Sequence, residues 1–114
     1  MTDQVTIVIP RPAFHEGSAF TATAYFRDRA TAAASTPTTA KYRVDCLTTG
    51  VNLQDWTTLT PAASIPISIT ATHQAIQNSS NRSEVKQLTV SADHGLAAQA
   101  RDVMSWTVNN TELV

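Results

Sequence analysis

Apolar and polar residues alternate with a period of two along most of the chain, and this pattern predicts β-strands. The clearest case is KYRVDC at 41–46, where three apolar residues alternate with three charged ones. The TTG sequence at 48–50 supplies a turn with a glycine that tolerates positive φ, and an extended run resumes at 51–56. We therefore predict a central β-hairpin with one face toward a core and the other toward water.

Five further segments have strand patterns. Residues 5–9 are mostly β-branched and end at Pro10 and Pro12, which cannot donate to a strand ladder, so an edge strand is predicted there. Pro66 opposes three isoleucines in the segment 64–70, which predicts a second edge strand with the isoleucines in the core. The remaining predicted strands are 19–27, 84–92 and 98–109.

Several irregular features are predicted between and within these strands. Residues 28–38 are alanine-rich but lack an apolar period, and we predict a loop. A capping threonine predicts one short helical turn near 72–77, with Ile76 turned inward. Asp93-His94-Gly95 predicts a tight hairpin, and the adjacent pair at 103–104 predicts a bulge in the last strand.

Seven short strands with turn signals and no long helix predict an all-β domain, a single antiparallel β-sandwich spanning residues 1–114. The order of long and short connections fits an immunoglobulin-like or fibronectin-III-like Greek key. In that arrangement the first, second and fifth strands form one sheet, and the other four strands form the second. A different all-β barrel also fits the pattern.

Composition supports this prediction and restricts the partners. Charged residues make up 15% of the chain, against about 25% in typical domains. The chain has 18 threonines and 9 serines, and threonine favours strands. The net charge is −1 without a basic block, which argues against nucleic acid or an anionic membrane as partner. A charge-poor domain also tends to associate with other proteins.

Cysteine content and the N-terminal sequence indicate where the protein is made. Cys46 is the single cysteine, so no intrachain disulfide can form, and its phase with Tyr42 and Val44 predicts burial. The apolar run at 5–9 is too short for a signal peptide or a membrane span. We therefore expect synthesis in a cytoplasm and residence there or in an assembly formed there.

Few residues suggest chemistry. His15 beside Glu16 and Asp93 beside His94 are better explained as turn residues, and none of the three histidines has metal-ligand spacing. Trp56 and Trp106 are predicted to pack in the core or at a sheet edge rather than to form a stacking platform. We predict no catalytic residue, no metal and no cofactor, and we do not expect an enzyme.

The predicted topology instead points to the surface. It gathers the loops 28–38, 60–63 and 93–97 at one end, and the loops 10–18, 48–51 and 71–83 at the other. Protein contacts are predicted from the first strand, the first of these loop ends and the C-terminal tail. The predicted contact residues are Val5, Ile7, Ile9, Pro37, Pro61, His94, Leu96, Leu113 and Val114.

The chain also resembles short immunoglobulin-like proteins encoded among the structural genes of tailed bacteriophages. The resemblance is carried by EGS at 16–18, TATAYFRD at 21–28, TPTT at 36–39, YRVD at 42–45, TG at 49–50, DWTTLTP at 55–61, the isoleucines of 64–70 and LTV at 88–90. The chain departs from such proteins in the alanine-rich segment 30–34 and at Cys46, where an acidic residue is common.

The resemblance implies a non-enzymatic virion protein made in the host cytoplasm. The first expectation is a capsid decoration or cement protein, present in many copies on the outer surface of a phage head and bound to the major capsid protein or other virion proteins. A tail or neck component, structural or receptor-facing, is the alternative within the virion. A small carbohydrate- or peptide-binding sandwich that uses Trp56 or Trp106 is the alternative outside it.

Overall fold

A computed structural model of the protein describes residues 4–96 and 99–113, and this part of the chain is almost entirely β. The strands are β1 (Gln4–Val8), β2 (Ala13–His15), β3 (Phe20–Arg27), β4 (Ala40–Cys46), β5 (Asn52–Leu59), β6 (Ser64–Ile69), β7 (Ser83–Ala92) and β8 (Ala100–Asn109). A 3-10 helix at Thr111–Leu113 follows β8. No helix in these two ranges is long and apolar enough to cross a membrane.

The strands form two sheets, of order β1-β3-β6 and β2-β8-β7-β4-β5. This partition confirms the predicted one, because the first, second and fifth predicted strands share the smaller sheet. The prediction of seven strands was wrong by one. The additional strand, β2, pairs in parallel with β8 through Ala13↔Thr107 to His15↔Asn109. Three residues are too short to display a period, so this segment looked like part of a loop.

One apolar core lies between the two sheets. The smaller sheet contributes Ile65, Ile67 and Ile69 of β6, as predicted, together with alternate residues of β1 and β3. The larger sheet contributes inward residues of β4, β7 and β8, including the fully buried Cys46. At one end the rings of Phe14 and Phe20 stack with centroids 4.2 Å apart, and Phe20 meets Trp106 edge-on at 5.2 Å.

Two predicted irregularities differ in the structure. Residues 71–74, rather than 72–77, form a single hydrogen-bonded turn that does not continue into a helix. The N–H of Gln74 donates to the carbonyl of Thr70 at 3.2 Å, and His73 Nδ1 accepts the N–H of Thr70 at 3.1 Å. Ile76 nevertheless packs against the core. The β7–β8 ladder has no bulge, because Val103 points to water while Met104 packs inward and the alternation continues. The register shifts lie in the β4–β5 pair, near Val44.

The connection from β7 to β8 is longer than a tight hairpin. Gly95 has the expected positive φ of 82°, and Asp93 also has φ of 52°. The next strand begins at Ala100 rather than at residue 98. Residues 97 and 98 lie outside the described residues.

The predicted edge positions of β1 and β6 are confirmed, and the edge strands carry features that hinder further strand pairing. Pro66 removes a donor from β6. The N–H of Ile7 in β1 donates to Asp102 Oδ2 of β8 at 3.0 Å. In β5, Asp55 Oδ1 accepts the N–H of Trp56 at 2.8 Å, and the carbonyl of Asp55 accepts the Thr57 hydroxyl at 2.9 Å.

Candidate binding face

A cluster of one aromatic and three basic side chains occupies the outer face of the five-stranded sheet. Lys41 Nζ lies 4.6 Å from the ring centroid of Trp56. The guanidinium carbons of Arg43 and Arg101 each lie 5.6 Å from a ring centre of the same indole. These distances are those of cation–π contacts. We call these four residues the Trp56 cluster.

The strand register explains how residues distant in sequence meet there. Thr58, Lys41, Ser91 and Arg101 form one row across β5, β4, β7 and β8. Side chains in such a row stand on the same face of the sheet. Ser91 is buried although its strand position faces outward, because longer side chains of the neighbouring strands surround it.

Of the three cations in the cluster, Arg43 has an ion-pair partner among the described residues, and the other two do not. Arg43 donates two hydrogen bonds to Asp45, from Nε at 2.9 Å and from Nη2 at 2.8 Å. These bonds raise the pKa of Arg43. Burial alone would raise the pKa of Asp45, but the bonds from Arg43 and Asn52 outweigh it and lower that pKa. Lys41 and Arg101 form no ion pair with any residue of the described ranges.

Two shallow depressions border the cluster at the loop end near β8. One, of about 290 Å³, is lined by Lys41, Thr58, Ser91 and His94 among others. The second, of about 300 Å³, is lined by Ser91, His94, Gln99 and Arg101 among others. The two depressions share Ser91 and His94 and so are adjacent. We call them together the His94 groove.

A third depression, of about 270 Å³, lies beside β2 at the opposite end of the sheet. Phe14 and Phe20 are among its lining residues, together with Arg11 and His15. The Arg11 guanidinium carbon lies 5.8 Å from the Phe14 ring centroid. The sequence did not point to this depression, because β2 was taken as part of a loop.

A buried ionic centre joins β7 to the loop that precedes it. Glu84 and Lys86 are fully buried, with Oε1 and Nζ 3.0 Å apart. Glu84 also accepts the backbone N–H groups of Gln77 at 2.7 Å and Asn78 at 2.9 Å. Burial alone would raise the pKa of Glu84, but these bonds and those from the side chains of Lys86 and Asn81 lower it to about 2.

The remaining contacts of this centre indicate a structural role. Lys86 Nζ donates a second bond to the carbonyl of Ala75 at 2.8 Å, and Cys46 Sγ lies 3.7 Å from Glu84 Oε1. The ion pair therefore fixes the loop before β7 by both of its charges. No group of three or more His, Cys, Asp or Glu residues within 4–96 and 99–113 is arranged to hold a metal ion.

His73 forms a second polar centre beneath the same loop. Burial lowers its pKa. Since Nδ1 accepts the N–H of Thr70, the ring proton is on Nε2, which lies 3.3 Å from Gln54 Oε1. Both ring nitrogens are thus engaged in holding β5 and β6 to the turn, and neither is directed at a ligand.

The loops gather at two ends, as predicted. At one end, Asp93 Oδ1 accepts the N–H groups of Thr38 and Thr39 at 2.6 and 3.0 Å. At the other end, the N–H of Ile76 donates to Glu16 Oε2 at 3.2 Å. These bonds give Asp93 and Glu16 structural roles, and their neighbours His15 and His94 remain exposed.

The predicted contact residues differ in accessibility. The side chains of Val5, Ile7 and Pro37 are buried within the protein, and Ile9 is partly buried against the core. Burial withdraws Val5 and Ile7 from the surface, and β1 exposes Gln4, Thr6 and Val8 instead. Pro61, His94 and Leu96 are exposed at the first loop end. The side chain of Leu113 and the whole of Val114 lie outside the described residues, so contacts there stay predictions.

Sequence reasoning predicted the orientation of two residues of the Trp56 cluster but no binding face there. The alternation in β4 placed Lys41 and Arg43 on its wet face, whereas Trp56 was assigned to packing in the core or at a sheet edge. Arg101 was missed, because its position depends on the β7–β8 register. In a comparison with known proteins, no protein-family model matches the chain, and no curated protein matches it.

Proposed function

We propose that the chain is a non-enzymatic structural protein of a tailed-bacteriophage particle, with an immunoglobulin-like β-sandwich fold, and that it decorates the outer surface of the head. The observation that supports the fold in this proposal is the strand order of the two sheets. This distribution of strands between the two sheets is the one expected for an immunoglobulin-like Greek key. The short strand β2 follows β1 in the chain but pairs with the last strand, β8, in the larger sheet. The resemblance in sequence to phage structural proteins supports the same fold and role.

The proposed mechanism is additive. Many copies would each cover a junction between coat subunits and would stabilise the assembled shell by binding it in preference to its separated parts. The partner is the major capsid protein or another virion protein, with no nucleic acid and no membrane involved. Exposed Pro61, His94 and Leu96 at one loop end offer a contact surface on each copy.

The number of copies per purified particle tests this role directly. Quantitative mass spectrometry against the major coat protein should give one copy per coat subunit or a simple fraction of it. A ratio far below that would move the protein to the tail or neck. Absence from the particle would overturn the virion role and favour a free binding module, for which the partly exposed Trp56 is the supporting observation.

Deletion of residues 111–114 tests the predicted tail contact. The chain is anchored to the domain just before the tail by three hydrogen bonds of Asn110. Its backbone N–H donates to the carbonyl of Arg82, and its Nδ2 donates to the carbonyls of Ser79 and Asn81. We expect the truncated protein to keep its melting temperature within a few degrees but to occupy fewer sites on the shell. Full occupancy by the truncated protein would exclude a tail contact, and the untruncated protein is the control.

A further inference from the structure

We propose that the outer face of the five-stranded sheet is a docking site for a carboxylate-rich segment of a partner protein, which Lys41 and Arg101 bind across the His94 groove. The site is defined by three features, namely unpaired cations, an occupied aromatic ring and an adjoining groove.

The first feature is a pair of cations without anions. Lys41 and Arg101 lie two strands apart in one row, so their Cα atoms are separated by about 10 Å. Both side chains nevertheless reach the same indole. Bringing like charges together is unfavourable unless an anion compensates them, and no carboxylate of the described residues forms an ion pair with Lys41 or Arg101. The carboxylates of Asp45 and Asp55 act on Arg43 instead and raise its pKa. A ligand carboxylate would supply that compensation.

The second feature is that the indole of Trp56 is already covered. Lys41 Nζ and two guanidinium groups lie within 5.6 Å of its ring centres, so a sugar ring or a nucleobase would have to displace them before stacking. The cations keep further N–H groups free, since an ammonium has three donors and a guanidinium five. The face therefore favours a ligand that accepts charge-assisted hydrogen bonds over one that stacks.

The third feature is the groove itself. It is shallow, and the exposed Thr58 adds a hydroxyl group beside Lys41, whereas the buried Ser91 lies between the two cations. In an extended peptide, side chains two residues apart lie on the same side at a spacing of about 6.5–7 Å. Carboxylates at positions i and i+2 of such a segment can therefore reach Lys41 and Arg101 together.

A polyanion fits the face less well than a protein segment. Of the three basic side chains in the Trp56 cluster, Lys41 and Arg101 lack an ion-pair partner among the described residues, and the net charge of the chain is −1. Binding of nucleic acid draws its affinity from many phosphate contacts, which this face does not offer. In a virion the acidic segment would belong to a neighbouring structural protein. The assignment of the acidic segment to a virion protein rests on the proposed function, whereas the docking chemistry does not.

A peptide titration tests the docking site without the particle. The probe is the capped peptide GDSDSDG, with GNSNSNG as the uncharged counterpart, added to the ¹⁵N-labelled protein at low salt. We expect the acidic peptide to shift the amide signals of Lys41, Ser91 and Arg101, and the asparagine peptide to leave them in place. Equal shifts with both peptides would overturn the proposal. Shifts of the same signals by oligothymidylate at lower concentration than by the peptide would do so too.

Matched charge variants locate the effect. K41Q/R101Q should weaken binding of the acidic peptide at least tenfold. R27Q/R82Q removes the same two charges from exposed positions outside the face and should bind as the unchanged protein does. Equal loss in both variants would reduce the effect to net charge and overturn the site. If the peptide binds but the purified particle contains no copies of the protein, the docking site is supported and the virion role is overturned. If the particle contains copies but the peptide does not bind, the virion role is supported and the docking site is overturned.

Discussion

Glu84 and Lys86 form an ion pair with no solvent exposure, and Oε1 and Nζ lie 3.0 Å apart. They are two residues apart on β7 and so point to the same side. On the neighbouring strand β4, Arg43 and Asp45 have the same spacing, but they face outward and are 33% and 21% exposed. Both ion pairs thus join residues i and i+2 of a strand, but one is buried and the other is partly exposed. Comparing them separates the effect of burial on stability from that of the spacing.

Substitution E84Q should lower the free energy of unfolding by about 3–5 kcal/mol, because the buried ammonium of Lys86 loses its counter-charge. The control D45N breaks the outer pair and should cost about 1 kcal/mol or less, since water solvates the freed Arg43. Urea denaturation followed by circular dichroism measures both values. Similar losses in the two variants would show that burial does not govern the inner pair.

The pH dependence of stability should report the same carboxylate. The pKa of Glu84 is about 2 in the folded protein, whereas an unperturbed glutamate, as in the unfolded chain, has a pKa of 4.5. The unfolded chain therefore takes up the proton first as the pH falls. The stabilising contribution of Glu84, about 3 kcal/mol, is complete above pH 5 and is lost as the pH falls through 4.5 toward 2. Between pH 6 and 3, E84Q should therefore lose less stability than the unchanged protein. Parallel curves for the two proteins would contradict this assignment.

The sequence predicted those parts of the fold that depend on local pattern. The isoleucines of β6 show a period of two without interruption, and Pro66 marked that strand as an edge. The short strand β2 was missed, since its pairing with β8 is non-local and three residues carry no period. The adjacent apolar residues Val103 and Met104 suggested a bulge, but Val103 is exposed in a regular strand, and a single apolar residue on a wet face is common.

The polar sites were harder to predict for a related reason. Glu84 and Lys86 are in phase with the buried Leu88 and Val90, which is a signal for burial. Charged residues are seldom fully buried unless paired, and their backbone partners in the preceding loop are visible only in three dimensions. Arg101 joins the Trp56 cluster through a register set over ten residue pairs of β7 and β8. No local pattern contains that information.

Asp93 provides a test of how the first loop end is held together. Its carboxylate accepts two backbone N–H groups of the loop before β4, and its own backbone has φ of 52°. D93A removes both acceptors and places alanine in a left-handed conformation, so we expect a loss of about 2–3 kcal/mol. D93N keeps an acceptor oxygen, tolerates this φ and should lose about half as much. Hydrogen exchange at Thr38 and Thr39 should accelerate in D93A, and equal exchange in the two variants would contradict the role of the side chain.

The two tryptophans should differ in quenching by acrylamide, a neutral probe. Trp106 is 2% exposed and donates from Nε1 to Gln74 Oε1 at 2.6 Å, so its emission should be blue-shifted and unquenched. Trp56 is partly exposed and is covered mainly by flexible cationic side chains. W56F should therefore remove the quenchable fraction, and K41Q/R101Q should increase quenching of Trp56 because two of its covering groups become shorter and neutral. R27Q/R82Q, which leaves the cluster intact, should quench as the unchanged protein does. If W56F retained the quenchable emission, Trp106 would be accessible and the packing of Phe20 against its ring would not hold in solution.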